Sequence, residues 1–202
     1  MPNVPLILAS GSPRRQQLLN EAGYDFEIVR PSDGAECGVC SGETPPELVA
    51  RLALQKAADV AARIRHGEVE VEPTRRQQGI VLGCDTVAAW GGQVFGKPAH
   101  EEHARQILAS LSGREHQVFS GLCLIPALGG EPRVEVARTT LRMASLSDEQ
   151  LDEYLASGLW EGKAGAFGYQ DRTGWLEIVE GSESNVVGLP LELLRDMLDG
   201  LA

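Results

Sequence analysis

Residues Ala9 to Arg15 read A-S-G-S-P-R-R and pose an electrostatic problem. Ser12 is placed to cap a helix whose first position is Pro13, so Arg14 and Arg15 fall in the first turn. The helix's own field is positive there, and each cation costs a few tenths to about 1 kcal/mol. A bound anion reverses the sign, because free backbone N–H groups, both guanidinium groups and the Ser10 and Ser12 hydroxyls would then face one negative charge. The alternative is that both arginines splay into solvent.

A second broken rule lies in Gly83-Cys84-Asp85-Thr86-Val87, where a carboxylate sits inside an apolar run. An unpaired ionised carboxylate is very costly in a buried strand. Asp85 therefore needs a cation, a metal or a solvent-filled cleft; the structural alternative is an arginine or backbone N–H groups. The segment Gly91 to Pro98 mimics a phosphate loop, but Pro98 stands where that motif needs a hydroxyl and a hairpin turn precedes it, so only Lys97 survives as a candidate. Gly162 to Gln170 is a glycine-dense connection carrying Lys163 and Gln170; its glycines let backbone approach a ligand, and a glutamine amide can pair with a base edge. Lys56 follows Leu48 and Leu52 on one helical line, so it either snorkels or aims at something.

These residues need elements to hold them. Leu6 to Ala9 suits a buried strand leading straight into the helix from Pro13, which Gly23 stops. Arg30 to Pro46 reads as a long ordered loop, and Thr44-Pro45-Pro46-Glu47 has capping-box spacing for a helix to about Arg65. His66 to Gly79 looks like a tolerant surface insertion. Ile80–Trp90 and Gln93–Phe95 flank Gly91-Gly92, a hairpin signal. Further helices are expected over Glu101–Ser112, Ser147–Ser157 and Pro190–Leu198, and strands over Gln117–Ile125, Arg133–Ala144 and Trp175–Val179. Strands and helices mix without strict alternation, which favours an α/β or α+β fold with a mixed sheet.

The 202-residue chain can bury a substantial core, and its net charge of −11 argues against a DNA or RNA polymer as partner. An anionic ligand would need a local basic pocket. No apolar stretch approaches the roughly 18 residues of a membrane span, and the start lacks a signal-peptide pattern, so the expected compartment is cytoplasmic. Cys84 and Cys123 fall in apolar runs and are expected to be buried; Cys37 and Cys40 lack the partners for a zinc site or a redox helix. His100 and His103 are expected near a helix start, facing solvent.

In order, A-S-G-S-P-R-R-Q-Q-L-L, L-A-L-Q-K-A, G-C-D-T-V, F-G-K-P, L-S-G-R-E-H-Q-V-F-S-G, G-K-A-G-A-F-G-Y-Q and N-V-V-G-L-P resemble the motifs of the Maf nucleoside triphosphate pyrophosphatases. The likeness runs from about Leu6 to Leu198. It implies an α/β fold similar to the inosine triphosphatase group: one domain over residues 1–202, with an elongated mixed sheet flanked by helices and a cleft between two lobes. It also implies hydrolysis of a nucleoside triphosphate to the monophosphate and pyrophosphate with a divalent cation, Mg²⁺ or Mn²⁺; whether the task is removal of modified nucleotides is left open. By that resemblance Asp85 is the catalytic carboxylate and a metal ligand, joined by Glu36, with Asp33 as the rival loop acid. Ser10, Ser12, Arg14, Arg15, Lys56, Lys97 and Lys163 would hold phosphates. Arg14, Thr86 and Gln170 resemble the branch acting on dTTP and UTP, rather than the one acting on 7-methyl-GTP. Gly162 and Asp171 depart from the usual pattern, where Asp and Gly are commoner. The rival from another class is a non-catalytic nucleotide-binding regulator of septum formation, and a homodimer is left open.

Overall fold

The computed structural model describes residues 4–35, 42–171 and 173–201. Strand β1 (Leu6–Ala9), buried at all four positions, lies between β2 (Phe26–Ile28) and β3 (Ile80–Trp90) and runs parallel to both. Strand β4 (Gln93–Phe95) folds back on β3 through Gly91 and Gly92, both at positive φ, as a tight hairpin turn requires. Strands β5 (Glu115–Pro126), β6 (Arg133–Met143) and β7 (Leu176–Glu180) then pair antiparallel in succession beyond β3. The order is β2-β1-β3-β5-β6-β7 with β4 attached to β3, so the expected mixed sheet is the observed one.

Alternation along β3 divides the core. Val81 packs with Ala57, Val60 and Ile64 of helix α2 (Pro45–His66), while Leu82 and Cys84 pack on the opposite side with Leu194, Met197 and Leu198. Those last three belong to the closing helix α7, Leu191–Asp199, which follows the short α6, Glu183–Val187. A third cluster joins the far end of β3 to helices α4 (Glu101–Leu111) and α5 (Asp148–Ala156) through Ala88, Leu108 and Leu155. Cys84 and Cys123 are free and buried, as expected; Cys37 and Cys40 lie outside the described residues. No helix among the described residues is long and apolar enough to cross a membrane.

Two glycines decide how close α2 comes to the sheet. A Cβ at Gly83 would lie 2.2 Å from the Ala53 carbonyl oxygen, and one at Gly121 would lie 2.2 Å from that of Val49. Only glycine tolerates such contact. Gly121 is the register partner of Asp85 on β5, so the helix descends onto the sheet beside that carboxylate.

The elements depart from the sequence reading in three places. Residues 66–79 do lie at the surface, but they are tied down: Pro73–Gln78 forms helix α3, Arg75 donates to the Leu6 carbonyl and pairs with Asp25, and Arg76 donates to the Ile64 carbonyl. These bonds satisfy carbonyls at the ends of β1 and α2. Helix α6 and strand β2 are too short to show a periodicity. Ser12 is the cap residue of α1 (Pro13–Glu21) by position only, because its hydroxyl makes no capping bond and its own N–H donates to Ser10 Oγ at 3.2 Å. The box at Thr44 does form, with Glu47 accepting from the Thr44 N–H at 2.9 Å.

Candidate active site

The sheet leaves a notch. β1 pairs with β3 only as far as Gly83, and β4 joins the same edge only from Ala88. Among the described residues, Cys84 to Val87 therefore have no strand beside them on that side. The chain leaving β1 turns there through Ser10-Gly11-Ser12 into α1, so a helix N-terminus faces the gap. A crevice beyond the carboxyl end of a parallel strand is where open α/β sheets commonly bind ligands.

A cavity of about 580 Å³ occupies this place. Its lining includes Ser10, Ser12, Arg14, Arg15, Lys56, Thr86, Lys97 and Lys163, so the structure brings together eight of the residues singled out in the sequence. Asp85 does not line it directly; its neighbour Lys56 does. Gly168, of the glycine-dense connection, lines it too; Glu161, Phe167, Val118 and the Val186–Gly188 segment complete much of the wall, and sequence reasoning assigned none of these a role. The apolar members had no signal to separate them from core.

Asp85 and Thr86 project to opposite faces of β3. On the α2 side, the Lys56 ammonium donates to Asp85 Oδ1, and the two side chains are 9% and 14% exposed. The inward line of Leu48, Leu52 and Lys56 thus ends on the carboxylate, and the cation that Asp85 needed is a lysine rather than an arginine. On the other face, Thr86 Oγ1 lies 2.8 Å from Ser120 Oγ and 3.2 Å from the Gly188 carbonyl oxygen.

Both first-turn arginines fold back over the cavity instead of splaying outward. Arg15 donates to the Gly188 carbonyl at 2.9 Å, to Ser10 Oγ at 3.0 Å and to Thr86 Oγ1 at 3.4 Å. Arg14 donates to the Gly162 carbonyl. Burial and the adjacent Arg15 lower the pKa of Arg14, while Asp171 and Tyr154 oppose the change. Partial desolvation and the charges of Arg15 and Lys56 likewise hold Lys97 below the ordinary lysine value, with Asp85 opposing. The cations are thus crowded enough to weaken one another, which favours an anion between them.

In the sequence Gly188 stands out only as part of a motif, yet its carbonyl accepts from Arg15, Thr86 and the Cys84 thiol. At φ +122° it adopts a backbone that favours glycine. Across the cavity Lys163 is held by Asp171, in an ion pair whose side chains are 8% and 5% exposed. Gln170 lies on the short turn Tyr169–Asp171, but its side chain is outside what the structure describes. Glu36 also lies outside the described residues, and Asp33 is exposed and away from the cavity lining. His100 faces solvent at the start of α4, where Nδ1 accepts from the His103 N–H at 3.2 Å.

The described residues contain no cluster of three His, Cys, Asp or Glu side chains able to hold a metal by themselves. A divalent cation bound through one carboxylate and phosphate oxygens needs no such cluster, because magnesium is commonly held by one or two carboxylates plus substrate phosphates. The partly exposed Asp85 carboxylate beside a cavity walled by cations fits that arrangement.

The sequence matches the family described as Maf-like protein over residues 5–201. It is 53% identical over 195 residues to a dTTP/UTP pyrophosphatase of Rhodopirellula baltica, covering 96% of this chain and 81% of that protein. A dTTP/UTP pyrophosphatase of Agrobacterium fabrum is 41% identical over 196 residues, covering 96% of this chain and 91% of that one. Among solved structures, the Staphylococcus aureus Ham1 protein superposes with a TM-score of 0.51 at 12% identity, over 98% of this chain and all of the other. That last likeness is one of fold.

Proposed function

The chain belongs to the Maf family, and on that premise we propose that it hydrolyses nucleoside triphosphates, dTTP and UTP foremost, to the monophosphate and pyrophosphate. One observation carries the reading. Arg14, Arg15, Lys56, Lys97 and Lys163 converge on one cavity in a chain whose net charge is −11. So local a concentration of positive charge suits a compact polyanion and not a polymer. A cytoplasmic setting accords with such a substrate.

In this reading the phosphates lie between the α1 N-terminus and the lysines on the facing walls. Water attacks the α-phosphorus, the bond to the bridging oxygen breaks, and pyrophosphate leaves. Asp85 accepts the proton of the attacking water, with Lys56 orienting its carboxylate. Arg15 and Lys97 offset charge developing on the leaving group, while Lys163 holds the phosphates in place. When bound, Mg²⁺ or Mn²⁺ shields the phosphates and lowers the pKa of its water; Asp85 would hold it, with Glu36 as the second ligand implied by the family motifs. Base selection falls to Arg14, Thr86 and Gln170.

The test is pyrophosphate release with Mg²⁺ or Mn²⁺ from dTTP, UTP, CTP and 7-methyl-GTP measured side by side. The expected result is turnover with dTTP and UTP exceeding the others. Binding without release would indicate a nucleotide-sensing regulator, and a preference for 7-methyl-GTP would remove the role given to Arg14, Thr86 and Gln170.

A further inference from the structure

The second wall of the cavity is a loop, residues 162–171, which bonds to distant elements tie to the rest of the fold. Arg14 of α1 holds the Gly162 carbonyl, and the Gly165 N–H donates to the Gly96 carbonyl at 3.1 Å, beside Lys97. Within the loop Gly165 lies at φ +73° with no room for a Cβ, which would meet Phe167 at 2.7 Å. Ala166, fully buried, also lies at positive φ, the one non-glycine residue among those described to do so. A backbone held in this region costs energy that its surroundings must over-determine.

Behind Lys163 stands Asp171. Both carboxylate oxygens accept from the Lys163 ammonium, and Oδ2 also accepts from the Tyr154 hydroxyl at 2.7 Å. Tyr154, on α5, is itself buried and meets Trp175 edge-on at 5.2 Å. Lys163 lines the cavity; Asp171 and Tyr154 do not. The carboxylate is thus spent on fixing a neighbouring cation from the side away from the ligand. An ammonium has three N–H directions, and Asp171 occupies two of them, so the remaining one is aimed.

We propose that Asp171, backed by Tyr154, is a positioning residue that presents Lys163 to the substrate's phosphates as an oriented donor within an already neutralised pair. This rests on the triphosphate reading of the cavity. It differs from having Lys163 serve as one more unit of free positive charge, and the two pictures predict opposite signs. If Asp171 only cancels charge, its removal strengthens anion binding; if it orients, its removal weakens it.

Inorganic tripolyphosphate is the probe, because it carries the phosphates without the base and its binding requires no hydrolysis. Its Kd is measured by calorimetry at low and moderate salt for the wild-type chain, Asp171→Asn and Tyr154→Phe, with KM and kcat for dTTP alongside. Asp171→Asn should weaken tripolyphosphate about tenfold, the value of one charge-assisted hydrogen bond. KM for dTTP should rise by a similar factor, with kcat changing less. Tyr154→Phe should move both in the same direction by a smaller factor, and it answers the question if Asp171→Asn does not fold. Tighter or unchanged tripolyphosphate binding in a folded variant overturns the assignment. A wild-type chain that binds tripolyphosphate without hydrolysing dTTP removes the enzymatic reading and leaves this test intact.

Discussion

The cavity has two walls, each built around a buried lysine paired with an aspartate, and they are held by different physics. Lys56 and Asp85 sit on a 22-residue helix and an 11-residue strand, brought together because Gly83 and Gly121 let the helix rest on the sheet. Lys163 and Asp171 sit eight residues apart on a loop whose shape depends on positive-φ residues and on bonds to Arg14, Gly96 and Tyr154. The first pair inherits its geometry from regular elements that would form anyway. The second must have its geometry specified contact by contact. Catalytic chemistry that fails with a small misplacement belongs on the first wall, and adjustable recognition on the second.

Substitutions on the two walls should therefore separate rate from recognition. The largest effect is expected for Asp85→Asn, which should lower kcat at least about 10²-fold, within the usual range for general-base catalysis, in a chain that stays folded although the Lys56 ammonium, left without its carboxylate, lowers the unfolding midpoint. Near-normal turnover would place the chemistry elsewhere.

Acid should act where the walls meet. His116 of β5 is 2% exposed, neither ring nitrogen has a hydrogen-bond partner among the described residues, and its ring meets Phe167 of the loop edge-on at 5.2 Å. Burial lowers its pKa from 6.5 to about 4. Between those values the unfolded chain binds a proton that the folded one refuses. Its contribution to stability is therefore full above pH 6.5 and is lost as pH falls toward 4, by up to about 3 kcal/mol. Urea unfolding of His116→Leu against pH should lack that part of the slope.

A sharper contrast comes from adding one methyl group to each wall. Gly121→Ala would press on the Val49 carbonyl and should cost about 1–3 kcal/mol of stability, with kcat falling as Lys56 shifts from Asp85. Gly165→Ala would press on Phe167 and Ala88 on the loop side, and should raise KM more than it lowers kcat. The same kinetic split for both would dissolve the distinction. The smallest effect is expected for Arg14→Ala, about tenfold in KM for dTTP. A larger loss for dTTP and UTP than for CTP would show base selection, and an equal loss for all would reduce Arg14 to a phosphate contact.

The elements that carry the site are legible in the sequence because their signals are local. Capping at Thr44, the glycine pair at residues 91 and 92, and the apolar runs of β1 and β3 each act over a few residues and appear where the spacing places them. Residues 66–79 misled because their bonds to Leu6 and Ile64 come from long arginine side chains, which leave no periodicity. Asp85, Arg14 and Arg15 were legible as broken rules, since a carboxylate within an apolar strand and cations at a helix start are costs that something else must offset, whereas Thr86 and the phosphate roles of the lysines came from the resemblance of their motifs.

What the sequence by itself determined, then, is an inventory: a mixed α/β chain, one misplaced carboxylate, and a set of basic residues scattered through an acidic protein. Tertiary structure alone decided the pairings. Asp85 meets Lys56 across 29 residues, Arg14 meets Gly162 across 148 and Arg15 meets Gly188 across 173. Such partners depend on strand register, on where β1 stops and β4 begins, and on two glycines that set a helix's height above the sheet. Propensity and periodicity carry information over one or two turns of chain, whereas a site is assembled by contacts whose separation in sequence has no such limit.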